Sequence, residues 1–145
     1  MQEISDRFEI SELLDTYAAG VDSRDWDLVA GVFVADAVLD YTGTGGLAGS
    51  PAEVIPWIER GLSRFSQTQH VIANRRIRVD GDEASSTALL FNPMTFADGG
   101  DLLLVGGRYE TRYRRTPQGW RIVEHMVSMA WMHRLPAVAA PPGPE

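Results

Sequence analysis

Residues 69–79, 84–96, 101–115 and 119–131 are four long runs of strand-type sequence separated by short turns, and a chain that gives nearly half its length to consecutive hairpins has few folds open to it. The connections are Asp80-Gly81-Asp82, Ala97-Asp98-Gly99-Gly100 and Thr116-Pro117-Gln118-Gly119. Glycine and proline at these positions supply the backbone angles of tight reversals, so the spacing predicts four consecutive antiparallel strands. A meander of this length has one face to bury, and something upstream must cover it.

The first half is helical. Between Phe8 and Asp22 the apolar residues Ile10, Leu13, Leu14, Tyr17, Ala18 and Val21 recur at three- and four-residue steps, the period of a helix buried along one face. Trp26, Val29, Val32 and Phe33 make a second, shorter helical pattern over 26–33, and Ala37 to Tyr41 reads as a brief strand. Thr42-Gly43-Thr44-Gly45-Gly46 is a loop without the glycine spacing of a phosphate cradle. A third helix opens at Ser50-Pro51-Ala52-Glu53, where serine caps, proline takes the first helical position and glutamate completes a capping box. It runs to about Phe65 with Val54, Trp57, Ile58 and Leu62 on one face. Three helices followed by a meander predict an α+β fold with the helices packed on one face of a curved sheet, in one domain over 1–133. The segment 134–145 holds four prolines and no period and is expected to be a flexible tail.

Composition removes several function classes. The net charge is −7, and the only clustered basic stretches, Arg75-Arg76-Ile77-Arg78 and Arg112-Tyr113-Arg114-Arg115, alternate as the wet face of a strand does, so no nucleic-acid partner is expected. The absence of cysteine excludes disulfides, thiolate catalysis and zinc–cysteine sites. No apolar run approaches a membrane span, and Met1-Gln2-Glu3-Ile4-Ser5-Asp6 lacks the form of a signal peptide, so a cytoplasmic protein without a membrane partner is expected. Three histidines lie far apart with no ligand spacing, so neither a metal nor another cofactor is expected.

One residue conflicts with its place. Asp22 extends the apolar row Leu14, Ala18, Asp22 at the end of the first helix, where unpaired carbonyls carry partial negative charge. A buried carboxylate there is disfavoured by the dipole and by desolvation, and needs a partner or a task. The plain alternative is that the helix ends near Gly20 and Asp22 opens a polar turn. His70, in Gln69-His70-Val71-Ile72, is by itself as well explained as a strand-end residue. His125 alternates with Val123, Val127, Met129 and Trp131 on the last strand, a face expected to line the interior.

Taken together, Tyr17 and Asp22, the helix Asp25-Trp26-Asp27-Leu28-Val29 leading to Phe33 and Asp36-Ala37, Gln69-His70 at a strand start, Gly107-Arg108-Tyr109-Glu110 and Gly119-Trp120-Arg121-Ile122-Val123 resemble the SnoaL-like branch of the NTF2-like superfamily. That branch contains scytalone dehydratase, hexachlorocyclohexane dehydrochlorinase and bile-acid 7α-dehydratase. The resemblance implies a cone-shaped α+β barrel with a mostly apolar pocket, and a catalytic pair formed by Asp22 and His70. An imidazole can take a proton from carbon and return it to a leaving oxygen when a carboxylate holds one tautomer in place. The resemblance also implies that Tyr17 hydrogen-bonds a substrate oxygen, with core packing as the alternative, and Tyr41 is a second candidate for that role.

His125 stands near the place where dehydrochlorinase-like relatives carry an arginine, a departure that speaks against halide elimination and leaves His125 as a donor to substrate oxygen. Asn92, beside Pro93, either donates into the pocket or pairs locally at the proline break. The expected lining is Val32, Phe33, Leu39, Tyr41, Trp57, Ile58, Phe91, Asn92, Val127, Met129 and Trp131. The implied activity is dehydratase-type elimination on a small hydrophobic, cyclic, oxygen-bearing molecule, with isomerisation or polyketide-type cyclisation by the same pair, or binding alone, as alternatives. By the same resemblance the chain is expected to form a homo-oligomer, a dimer or trimer built on the outer face of the sheet.

Overall fold

The computed structural model describes residues 1–138. Helix α1 (Gln2–Ser23) ends where Arg24 turns into the left-handed region (φ 62°) and its N–H closes on the carbonyls of Gly20 and Val21. Gly20 lets α2 (Trp26–Gly31) approach closely, since a β-carbon there would stand 2.8 Å from a Val29 methyl. Asp25 starts α2 by accepting a hydrogen bond from the Leu28 N–H at 3.0 Å. In α3 (Pro51–Leu62), the Glu53 carboxylate accepts from the Ser50 N–H and hydroxyl, both at 2.8 Å.

The strands are β1 (Phe33–Gly43), β2 (Ala48–Gly49), β3 (Phe65–Thr68), β4 (Val71–Asp80), β5 (Glu83–Phe96), β6 (Leu102–Thr116) and β7 (Gly119–Leu135). They form one sheet in the order β2-β1-β7-β6-β5-β3, with β4 also paired to β5. The predicted meander is β4 to β7, all antiparallel. The brief strand expected at 37–41 is longer, because β1 pairs in parallel with β7, a partner that no local pattern announces. Phe33 therefore belongs to a strand, and Val32 is the residue that ends α2. Likewise α3 stops at Leu62, and Phe65 begins β3 against Phe96 of β5.

The strand expected from residue 69 is broken. Thr68 pairs with Met94 and Val71 with Phe91, so β3 and β4 follow one register along β5, interrupted opposite Asn92 and Pro93. Proline has no N–H to donate to a neighbouring strand. The Gln69 N–H instead donates to the Pro93 carbonyl at 3.0 Å, and His70 sits in the gap.

The helices cover the concave face of the curled sheet. Ala84, Ser86, Ala88, Leu90, Asn92 and Met94 of β5 turn inward and are buried. Tyr109, Thr111 and Tyr113 of β6, and Trp120, Ile122, His125 and Val127 of β7, are buried on the same face.

The row expected to run through Val123, His125, Val127, Met129 and Trp131 is cut at both ends. Register slips on β7, between the partners Ile122 and Glu124 and between Met129 and Trp131, each insert one residue and reverse the side on which the next side chain emerges. Val123 lies in an outer groove with Val38 and Arg78, and Trp131 faces outward across Gly106, where any β-carbon would collide with the indole. Phe91 also faces outward, since it alternates with the inward Leu90 and Asn92, and its ring lies 6.1 Å from that of Trp131. Phe91 and Trp131 thus do not line the interior. Met129 shares the inward register of Val127 but is 39% exposed.

Arg134 and Leu135, assigned to the tail from sequence, complete β7, while residues 139–145 lie outside the described residues.

Candidate active site

Asp22 and His70 meet where the last turn of α1 faces the break between β3 and β4. The Asp22 carboxylate lies 2.6 Å from His70 Nδ1 and accepts the His70 backbone N–H at 2.8 Å. The Thr68 hydroxyl donates to the same carboxylate at 2.9 Å, and Arg24 donates to the Thr68 oxygen at 2.9 Å. A guanidinium has no acceptor, so the Thr68 proton must point at Asp22.

Burial raises the pKa of Asp22, but the hydrogen bonds from the His70 ring, the His70 main chain and Thr68 outweigh it and hold the carboxyl below its ordinary value. The ionised Asp22 can only accept at this contact, so His70 Nδ1 carries the proton it donates, and in the neutral ring Nε2 is then an acceptor. That acceptor faces the Asn92 side chain, whose Nδ2 donates to it at 3.1 Å. The side chains of His70 and Asp22 are 8% and 25% exposed.

Beside the pair lies a cluster of buried aromatic and phenolic groups. The hydroxyls of Tyr17 and Tyr41 are in direct contact, and that of Tyr109 is within reach of Tyr17. Burial pushes Tyr17 up to about 12, and Tyr41 and Tyr109 well above their ordinary value, so all three remain hydrogen-bond donors.

The His125 ring packs 5.2 Å from that of Tyr17 and 4.6 Å from that of Tyr109. Its Nδ1 pairs with Thr111 Oγ1 at 2.9 Å, and its buried Nε2 has no partner. Burial pushes its pKa down to about 3, so it stays neutral.

Of the expected residues, Val32, Phe33, Leu39, Tyr41, Ile58 and Val127 join one core cluster with Tyr17, and Trp57 packs on it at 5.6 Å from Tyr41. An open depression of about 490 Å³, lined by Asp22, Ser66, Gln67, Thr68, Gln69, Pro93, Thr95 and Leu102, reaches the carboxylate from outside. Sequence reasoning missed Thr68, Arg24 and Tyr109. Thr68 had a usable signal, since it lies two residues before His70 and so falls on the same face of an extended chain. Arg24 had none, because its reach depends on the left-handed turn. Among the described residues no group of three or more His, Cys, Asp and Glu side chains is arranged to hold a metal ion.

Three helices on a strongly curled mixed sheet, with a histidine–aspartate pair at the edge of the interior, define an NTF2-like α+β cone. Within that class the chain belongs to the SnoaL-like domain family, whose sequence profile matches residues 2–125. It is 42% identical over 125 residues to the uncharacterized protein Rv2910c of Mycobacterium tuberculosis, covering 86% of this chain and 85% of that one. A Novosphingobium aromaticivorans protein provisionally described as an aromatic ring hydroxylase superposes with a TM-score of 0.83 at 30% identity, over 90% of this chain and 94% of that one. Hexachlorocyclohexane dehydrochlorinase LinA type 2 superposes with a TM-score of 0.85 over 97% of both chains, and at 21% identity that likeness shows the fold alone. No helix among the described residues is long and apolar enough to cross a membrane.

Proposed function

We propose that the chain is a cofactor-free lyase of the dehydratase type, in which His70 and Asp22 move protons on a small hydrophobic, cyclic, oxygen-bearing molecule. The observation that carries this is the 2.6 Å contact between Asp22 and His70 Nδ1, made by a carboxylate already held ionised by Thr68 and by main chain. Such a carboxylate fixes the tautomer that leaves Nε2 basic and stabilises the imidazolium formed when Nε2 takes a proton.

His70 removes the proton from the carbon beside a carbonyl, and the electron pair moves onto the carbonyl oxygen. Tyr17 and Tyr41 donate to that oxygen without carrying full charge. His70 then returns the proton to the hydroxyl on the neighbouring carbon, the C–O bond breaks, a C=C bond forms and water leaves. His125, neutral and with a free Nε2, holds a second substrate oxygen. The outer sheet face, with Phe91 and Trp131, is the surface on which two or three copies of the chain associate.

The test uses cyclic β-hydroxyketones, 3-hydroxycyclohexanone first, in D₂O. Enone formation and deuterium uptake at the carbon beside the carbonyl are followed by NMR for wild type, His70→Ala and Asp22→Asn. Both signals should vanish in His70→Ala and fall by about 100-fold or more in Asp22→Asn. Equal rates in all three proteins would remove His70 as the base.

One observation favours a binding-only reading: in this structure the Asn92 amide occupies His70 Nε2. In that case His70→Ala weakens capture of the same ketones and no protein exchanges deuterium.

A further inference from the structure

Asn92 faces His70 across the break opposite Pro93 and is 6% exposed. Its Nδ2 donates to His70 Nε2 at 3.1 Å, while its Oδ1 is buried without a partner. This orientation suits only one state of the imidazole. While Nδ1–H donates to Asp22, Nε2 of the neutral ring is a bare acceptor, and only the NH₂ half of the amide can bond to it. Once Nε2 carries a proton the NH₂ half opposes it, and the oxygen half, one amide rotation away, becomes the matching acceptor.

No other group around the pair competes for that proton. Asp22, from α1, is held ionised. Tyr17, Tyr41 and Tyr109, from α1, β1 and β6, keep their protons, and His125 of β7 stays neutral. Arg24 reaches Thr68 and the carbonyls of Val21 and Phe65.

We propose that Asn92 is a positioning residue for His70, a two-orientation amide that donates through Nδ2 to the neutral ring and accepts through Oδ1 from the imidazolium. This rests on His70 being the proton-transfer group. Nε2 offers a single lone pair or a single N–H, so the substrate displaces the amide when a proton is transferred, and Asn92 takes the ring back in whichever state the step leaves it. An ionised aspartate at this position only accepts and a leucine does neither, so neither can hold both states.

The experiment follows the ring nitrogens of His70 and the side-chain amide of Asn92 by NMR of the intact ¹⁵N-labelled protein as pH is lowered. At the start Nε2 should show an unprotonated shift and a hydrogen-bond coupling to Asn92 Nδ2. As the ring gains its second proton the coupling should disappear, and the Asn92 amide signals should move with the same midpoint. In His70→Ala the Asn92 signals should lose their pH dependence. Asn92 signals that stay flat through the His70 titration, or that still titrate in His70→Ala, overturn the proposal. Should His70→Ala not fold, the wild-type titration decides alone. Neither readout uses a substrate. Coupled titration in a protein that transforms no hydroxyketone sinks the lyase reading only, and a flat Asn92 beside His70-dependent turnover sinks the amide proposal only.

Discussion

His125 is fully buried between Tyr17 and Tyr109, and its pKa of about 3 makes the fold sensitive to mild acid. Below the ordinary histidine value of 6.5 the unfolded chain binds a proton that the folded chain refuses, so stability is full above that value and falls as pH drops toward 3. Between pH 6.5 and 5 the loss from this residue is about 2 kcal/mol, at about 1.4 kcal/mol per pH unit. Urea denaturation of wild type and His125→Gln across that interval should show the variant losing distinctly less. Parallel pH dependence in the two proteins would mean that His125 is protonated in the fold. Asp22 does not contribute in this window, because it is held ionised and its stabilisation is lost only as pH falls through and below the ordinary carboxylate value of 3.8.

At the scale of elements, α1 is tied to the β6–β7 hairpin by one carboxylate. Asp6, buried near the start of α1, accepts two hydrogen bonds from Arg115, at 2.8 and 2.9 Å, and one from the Trp120 indole at 3.0 Å. The Arg115 guanidinium also stacks 4.6 Å over the Trp120 ring. Hydrogen bonds from Arg115 and then Trp120 hold the Asp6 carboxyl far below its ordinary 3.8. Asp6→Asn cannot accept all three bonds and leaves the guanidinium without its counter-charge, so it should lower Tm clearly at pH 7. Since a depressed carboxyl stabilises only above the ordinary value, the gap between wild type and variant should narrow as pH falls from about 4 toward 2. Thermal melts at several pH values check this, and a gap constant with pH would assign the loss to packing instead.

Across the whole molecule the two faces of the sheet have different chemistry. The concave face holds the phenols, His125 and the core. The convex face carries a row in which Val71, Phe91 and Trp131 are partly exposed, beside Leu89 and next to rows holding Arg108 and Glu110. Apolar side chains flanked by both charge signs suit a second copy of the same surface, since arginine on one copy can face glutamate on the other. Light scattering after gel filtration should give a mass of two or three chains for wild type and of one for Trp131→Lys. A wild-type monomer at micromolar concentration, or an unchanged mass in the variant, counts against association through this face.

The sequence alone determined what depends on near neighbours. The hairpin turns set the β4–β7 meander, the Ser50–Glu53 cap started α3, and the helical period carried Asp22 to the inner end of α1, because turn, cap and period act within a few residues. The pairing of His70 with Asp22 came from family pattern, since nothing adjacent to His70 names Asp22 as its neighbour. Tertiary structure decided what depends on distant partners. It joined β1 to β7 in parallel, and it opened the gap for His70 because Pro93, on another strand, has no N–H to offer. It also turned Trp131 outward, since a period of two extended past a bulge predicts the wrong face. The contact of Asn92 with His70 belongs there too: two residues 22 apart in sequence become partners only when the strands that carry them reach register.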